Sequence, residues 1–302
     1  MTLRWPVLAA FLLASCAQPP APPRPVHPTI VSLNPCTDAI LAQVTAPGQL
    51  LAVSHYSHDP RASSMPLAEG RRYRATGGTV EEVLALKPDV VVTGSYLDPA
   101  TARAFARLGV RVETVGIAAT VAESAAQVRS LAALAGEPGK GAALIARIDR
   151  AVAASHRPGP AVSALVWQEG GLVPGPDTLV AQLLGNSGFA SQSAARGLGQ
   201  GAYLPLEQVL ADPPQLVIAA GGEPMERHPA LRHLRGVRYA SLEPNLLFCG
   251  GPTIPRLAGK LAELRDGFAK PLPLAGGVWG GNDHHSLTGP PPAPPASGRG
   301  DS

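Results

Sequence analysis

The sequence predicts an α/β protein of two similar lobes, each a largely parallel sheet flanked by helices. Three observations carry this expectation. Short apolar, β-branched runs alternate with helix-like segments, the pattern of parallel sheets covered on both faces. A stretch of the first half recurs in the second. The two halves are joined by helical sequence, without a flexible linker.

The first half opens with a strand at Thr29 to Leu33, a helix over Thr37 to Val44 and a strand at Leu50 to Val53. The repeated unit follows. Glu81-Glu82-Val83-Leu84-Ala85-Leu86-Lys87-Pro88-Asp89-Val90-Val91-Val92 is echoed by Glu207-Gln208-Val209-Leu210-Ala211-Asp212-Pro213-Pro214-Gln215-Leu216-Val217-Ile218. Downstream, Leu108-Gly109-Val110-Arg111 is matched by Leu234-Arg235-Gly236-Val237-Arg238 with one inserted residue. One short match arises by chance; two in register argue for two similar lobes. Each copy reads as a short helix whose Val-Leu pair packs inward, a proline that stops it, and a strand buried on both faces. The strand Val110 to Val115 closes the first half. Helices over Val121 to Leu134 and Lys140 to Ala154 follow, the second apolar on much of its surface, so a rigid spine and a largely preformed cleft between the lobes are expected. The second half supplies strands at Ala161 to Trp167 and Leu216 to Ala219, and helices at Thr178 to Leu184, Pro229 to Leu234 and Thr253 to Leu264. Residues 29–138 form the expected first lobe, 139–157 the interlobe helix and 158–269 the second lobe.

The ends of the chain are set aside from the fold. Residues 1–16 carry one early cation, Arg4, then the apolar run Val7 to Ala14, which fits a secretory signal and is too short to span a bilayer. Leu13-Ala14-Ser15-Cys16 resembles a lipobox, in which the cysteine is acylated and anchors the exported protein; cleavage after Ala17 would instead discard Cys16. Residues 17–28, with six prolines between Gln18 and Pro28, make an extended tether. Residues 270–302, rich in Pro and Gly, lack the apolar side chains to order themselves. The net charge of +3 is spread along the chain without interleaved aromatic residues, which argues against nucleic acid as a partner. A monomer is expected.

Taken together, Ile30-Val31-Ser32-Leu33-Asn34-Pro35-Cys36-Thr37-Asp38, Val53-Ser54-His55-Tyr56-Ser57-His58-Asp59-Pro60, Gly78 through Val92, Leu179 to Gly188 and Gly250-Gly251-Pro252 resemble the periplasmic binding proteins for iron chelates and cobalamin. The resemblance covers nearly all of Thr29 to Leu264. It implies two Rossmann-like lobes bridged by one long α-helix, with a ligand cleft between the lobes. It also implies a periplasmic protein that captures a metal chelate and delivers it to an inner-membrane ABC permease with its ATPase. In that family an acidic residue on each lobe meets arginines of the permease, and the matching positions are Glu81 and Glu207. The plainer reading is that both are helix-start carboxylates favoured by the macrodipole.

Ligands of open α/β sheets bind at the carboxyl ends of strands, so the loops there form the candidate site. Cys36, His55, Tyr56, His58 and Tyr96 belong to the first lobe; Trp167, Gln168, Phe248 and Cys249 belong to the second. With 4% aromatic residues in the chain, rings at four of these positions suit a large planar chelate. His55 and His58 are candidate axial ligands to a haem or cobalamin metal, though His-x-x-His alone does not make a metal site. Aromatic and amide character, rather than Arg and Lys, puts a corrinoid ahead of a ferric siderophore or haem as the transported ligand; no resident cofactor is expected. Export places Cys36 and Cys249 in an oxidising compartment, one per lobe in a cleft loop. A disulfide across the cleft, free thiols that touch ligand or metal, and inert buried cysteines all remain open. An α/β enzyme is a poor rival: Gly197-Leu198-Gly199-Gln200-Gly201 lacks the spacing of a dinucleotide fingerprint, and Gly185-Asn186-Ser187-Gly188 reads as a helix stop. A structural envelope lipoprotein is the other alternative.

Overall fold

The computed structural model describes residues 27–221, 229–232 and 234–268. The signal segment with Cys16, the tether up to residue 26 and the tail from residue 270 lie outside the described residues.

The first lobe runs β1 (Ile30–Ser32), α1 (Pro35–Val44), β2 (Leu50–Ser54), α2 (Leu67–Gly70), β3 (Arg74–Thr76), α3 (Val80–Ala85), β4 (Val90–Gly94), α4 (Pro99–Arg107) and β5 (Arg111–Val115). Its five strands are parallel, in the order β3-β2-β1-β4-β5. Two helices follow, α5 (Val121–Leu134) and α6 (Pro138–Ala154). The second lobe runs β6 (Val162–Gln168), β7 (Leu172–Val173), α7 (Leu179–Asn186), β8 (Phe189–Ser191), α8 (Gln192–Ala195), β9 (Ala202–Tyr203), α9 (Leu206–Ala211), β10 (Leu216–Ala220), α10 (Pro229–Arg232), β11 (Arg238–Ser241) and α11 (Thr253–Phe268). Its main sheet is also parallel, in the order β11-β10-β6-β8, and β7 pairs with β9 antiparallel.

The internal repeat is a structural repeat. Each copy is a helix (α3, α9), a central strand (β4, β10) and an edge strand (β5, β11), and the register is equivalent: Val90 opposes Arg111 as Leu216 opposes Arg238. In the first copy the chain leaves the helix through Lys87, whose φ of 49° is left-handed, before Pro88 starts the extended run. Along each strand the side chains alternate between faces. Val90 and Val92 face the interlobe core and Val91 the outer cluster around Phe105; Leu216 and Ile218 face the same interlobe core and Val217 a second outer cluster.

That interlobe core is continuous. It takes Ile40, Leu41 and Val44 from α1, Val128 and Leu131 from α5, Leu144 and Ile148 from α6, and Ile254, Leu257 and Leu261 from α11, together with the inner faces of both sheets. The α5 and α6 axes pack so closely that a Cβ on Gly141 would lie 2.4 Å from the Ala132 methyl. Hinge motion would have to open a single packed core, and removing one buried Leu from such a core costs about 2–5 kcal/mol. The lobes are therefore rigidly related. Helix α7 stops at Asn186, followed by Gly188 at φ 77°, and Asn186 Nδ2 donates to Val152 O (2.8 Å) and Ser155 Oγ (2.9 Å) at the end of α6. Residues 197–201 form the connection between α8 and β9, without a strand leading into the glycines.

Candidate functional site

The loops at the carboxyl ends of β1, β2 and β4 converge with the segment ahead of α11 to line a cleft of about 500 Å³. A second cavity of about 410 Å³ opens on the first lobe and shares Asn34, Pro35, Tyr56, Gly94 and Tyr96 with it. Asn34 sets the geometry at β1. Its Oδ1 accepts from Cys36 N (2.8 Å) and Pro35 occupies the first helical position, so α1 starts abruptly with Cys36 in its first turn. Cys36 is joined to Cys249 by a disulfide, with Cα atoms 5.1 Å apart and a sequence separation of 213.

Cys249 is held from several sides. Ser64 Oγ donates to its sulfur (2.8 Å), Gly251 N donates to Ser124 Oγ on α5 (2.7 Å), and a Cβ on Gly250 would lie 2.5 Å from that same hydroxyl. The bridge thus lies where α1, α5 and the start of α11 meet, against the cleft wall.

Tyr56 sits in the 3-10 turn His55–His58, which Ser54 caps by accepting from Tyr56 N (3.2 Å). Beneath the turn lies Asp38, fully buried on α1. Its Oδ2 accepts from Ser54 N (2.9 Å) and Ser57 Oγ (2.6 Å), while Oδ1 has no hydrogen-bond partner. Burial outweighs these bonds and pushes its pKa up to about 8. Burial thus favours the neutral acid beneath the aromatic turn, and Oδ1 is the oxygen free to carry its proton.

The rings at the cleft are exposed: Tyr56 at 50%, Tyr96 at 86% and Phe248 at 55%. His55 lines the first-lobe cavity with its ring 4.1 Å from that of Tyr56. Three of the residues expected here lie elsewhere. Trp167 is wholly buried, packed with Leu165, Val173, Leu204, Val209, Val217 and Leu231 on the outer face of the second sheet, and its indole N–H donates to Leu204 O (3.0 Å). Its parity on β6, the same as Leu165, puts it on that face; counting the last residue of the expected strand with the cleft loop ignored that parity. Gln168, the last residue of β6, is paired with Ala220 and does not line the cleft. His58 points into its own lobe, its Nε2–H shared between Gly70 O (3.1 Å) and Tyr73 O (3.2 Å), so it anchors the turn and does not line the cleft.

Other lining residues were not singled out from sequence. Arg61 and Glu169 form an ion pair of 2.7 Å from one lobe to the other, and Ile117 and Gln127 come from the connection to α5 and from α5 itself. Glu169 was within reach of sequence reasoning as the residue after β6. Arg61 was not, because nothing local marks its loop as crossing to the other lobe. Glu81 and Glu207 occupy the second position of α3 and α9, exposed and without a hydrogen bond or ion pair among the described residues. The neighbouring Glu82 instead turns inward to Thr76 Oγ1 and Gly77 N, both 2.7 Å.

Two parallel-sheet lobes on a shared rigid core, with a preformed cleft at the strand ends, define a two-lobed solute-binding protein. The periplasmic binding protein family model matches residues 30–239. The chain belongs to that family, the substrate-binding components of ABC importers, which act in the periplasm beside a permease and its ATPase. No match is found among curated proteins. Among solved structures it is similar to the periplasmic heme-binding protein RhuT of Roseiflexus sp. RS-1 (TM-score 0.66, 19% identity, 80% of this chain and 98% of that one). It is similar also to a periplasmic heme-binding protein of Pseudomonas aeruginosa (0.63, 23%, 82% and 95%) and to the periplasmic vitamin B12 binding protein BtuF of Vibrio cholerae (0.64, 16%, 81% and 99%).

Proposed function

We propose that this protein captures a planar, largely uncharged metal chelate, a corrinoid ahead of a ferric siderophore, and hands it to its permease. The observation that carries this reading is the cleft wall: three exposed rings, Tyr56, Tyr96 and Phe248, on a preformed space of about 500 Å³ whose two charged residues, among the described lining residues, neutralise each other. Exposed rings on a rigid frame offer apolar area at little ordering cost. A polyanionic ferric chelate would find no unpaired cation among the described lining residues.

Haem is the second reading. The Tyr56 and Tyr96 phenols flank the cleft, phenolate oxygen is a ligand for ferric haem iron, and two of the similar structures are of heme-binding proteins. Visible absorbance of protein purified from cells supplied with each chelate separates the two, because corrinoids and haem have distinct bands; protein that carries neither sinks both readings. Trp167, buried on the outer face, is not the reporter of binding it would be from sequence.

In the same reading Cys16 carries the lipid anchor, and Glu81 and Glu207 meet cations on the permease, where exposed charges steer and orient the encounter. E81R/E207R should abolish uptake while cargo affinity stays at the wild-type value. Retained uptake, or lost affinity, would remove the docking role.

A further inference from the structure

The cleft is wide, yet among its described lining residues only Arg61 and Glu169 carry a charge. They come from opposite lobes and meet at 2.7 Å, with side chains 73% and 55% exposed. A pair so open to water adds little to stability, so its position calls for another account.

Both partners are held in place. Asp59 Oδ1 accepts from Arg61 N (2.8 Å), and the loop that carries Arg61 is pinned to the second lobe by Asn245 Nδ2, which donates to Ser63 O (2.8 Å). Glu169 starts the 3-10 turn Glu169–Gly171 directly after β6, where Gly170 (φ 72°) and Gly171 (φ 84°) turn the chain sharply. The backbone that carries each partner is therefore fixed at the cleft wall, one on each lobe, within reach of the other side chain.

We propose that Arg61 and Glu169 are the charge filter of the cleft, selecting macrocycles whose rim is uncharged over those that bear carboxylates. This rests on the chelate-capture reading and deepens it. A carboxylate on the cargo reaches Arg61 only by displacing Glu169, which exchanges one ion pair for an equivalent one and leaves a second anion beside the first. An amide rim suffers no such conflict, since it hydrogen-bonds at the wall without separating the pair. The discrimination is a repulsive element built against the wrong ligand rather than an attraction to the right one.

The test compares ligands that differ only in charge: cyanocobalamin against its monocarboxylate, in which one side-chain amide is hydrolysed, and haemin against its dimethyl ester. The readout is the ratio of the two Kd values within each pair. E169Q, which leaves Arg61 unpaired, should shift that ratio about fivefold toward the acid, and R61Q about fivefold away from it, the upper end for a solvent-exposed charge contact. The charge swap R61E/E169R should return the ratio to within about threefold of wild type. Measurable binding with a ratio that none of these variants moves overturns the filter and leaves the capture reading standing. No binding of either macrocycle to the wild type overturns the capture of a corrinoid or haem, and the filter falls with it.

Discussion

The two lobes share a scaffold and differ in what they show the cleft. Helix α3 with strands β4 and β5, and helix α9 with strands β10 and β11, repeat in sequence, register and facial parity. The first lobe nevertheless presents Asn34, His55, Tyr56 and Tyr96 to the cavities, while the second presents Glu169, Phe248 and Cys249 and keeps its Trp167 inside. The repeated parts carry packing and the two outward glutamates. The unrepeated loops line the cavities. A binding protein can thus change its cargo by loop variation while its frame, and with it the docking geometry, stays constant.

The largest test of the comparison is the bond that ties the two loop sets together. Replacing both cysteines (C36S/C249S) should destabilise the protein by up to about 5 kcal/mol, the chain-entropy value for so long a loop. Denaturant unfolding with and without reductant measures it; equal midpoints would show that the shared helical core alone fixes the lobes.

Next come two aromatic residues with opposite assignments. W167A should cost about 3–5 kcal/mol of stability, as for other buried Trp positions. Y96A should leave the thermal midpoint nearly unchanged and weaken cargo binding by about tenfold, the loss of one well-placed ring. If W167A weakened binding without loss of stability, the inside and outside roles of the two residues would be reversed.

The last effect, spread over a range of pH instead of present at one pH, concerns Asp38 beneath the aromatic turn. Its folded pKa, about 8, lies above the ordinary carboxylate value, so the folded state holds a proton that the unfolded chain has released. Stability from this group is fully present below about pH 4 and is lost as pH rises toward 8, by at most about 1.4 kcal/mol per pH unit. D38N keeps an acceptor for Ser54 N and Ser57 Oγ but does not titrate. Unfolding midpoints of wild type and D38N between pH 4 and 8 should therefore converge toward the acid side and separate as pH rises; parallel curves would show that Asp38 is ionised throughout.

Much of the frame was legible because it rests on local rules. The strand at Val90, the stop at Pro88 and the α5 bounds Val121–Leu134 follow from periodicity, proline chemistry and a Thr120 cap. The short elements β3, β7, β8 and β9 carry too few residues for any pattern to stand out. At the site, Tyr56, Tyr96 and Phe248 were legible as residues beyond strand ends, whereas Trp167 and His58 were misplaced, each by a single decision about facing. At the last residues of a strand, facial parity alone separates a core residue from a cleft residue.

By itself, the sequence determined the α/β alternation, the doubled lobe and the buried strands, because each depends on spacing along the chain. Only the tertiary structure decided which side chains meet across the cleft. The Cys36–Cys249 bond, the Arg61–Glu169 pair and the Ser64 and Ser124 contacts at Cys249–Gly251 all join residues far apart in sequence. Such contacts exist only once the packed core of α1, α5, α6 and α11 has fixed one lobe against the other, and no local pattern encodes that relation.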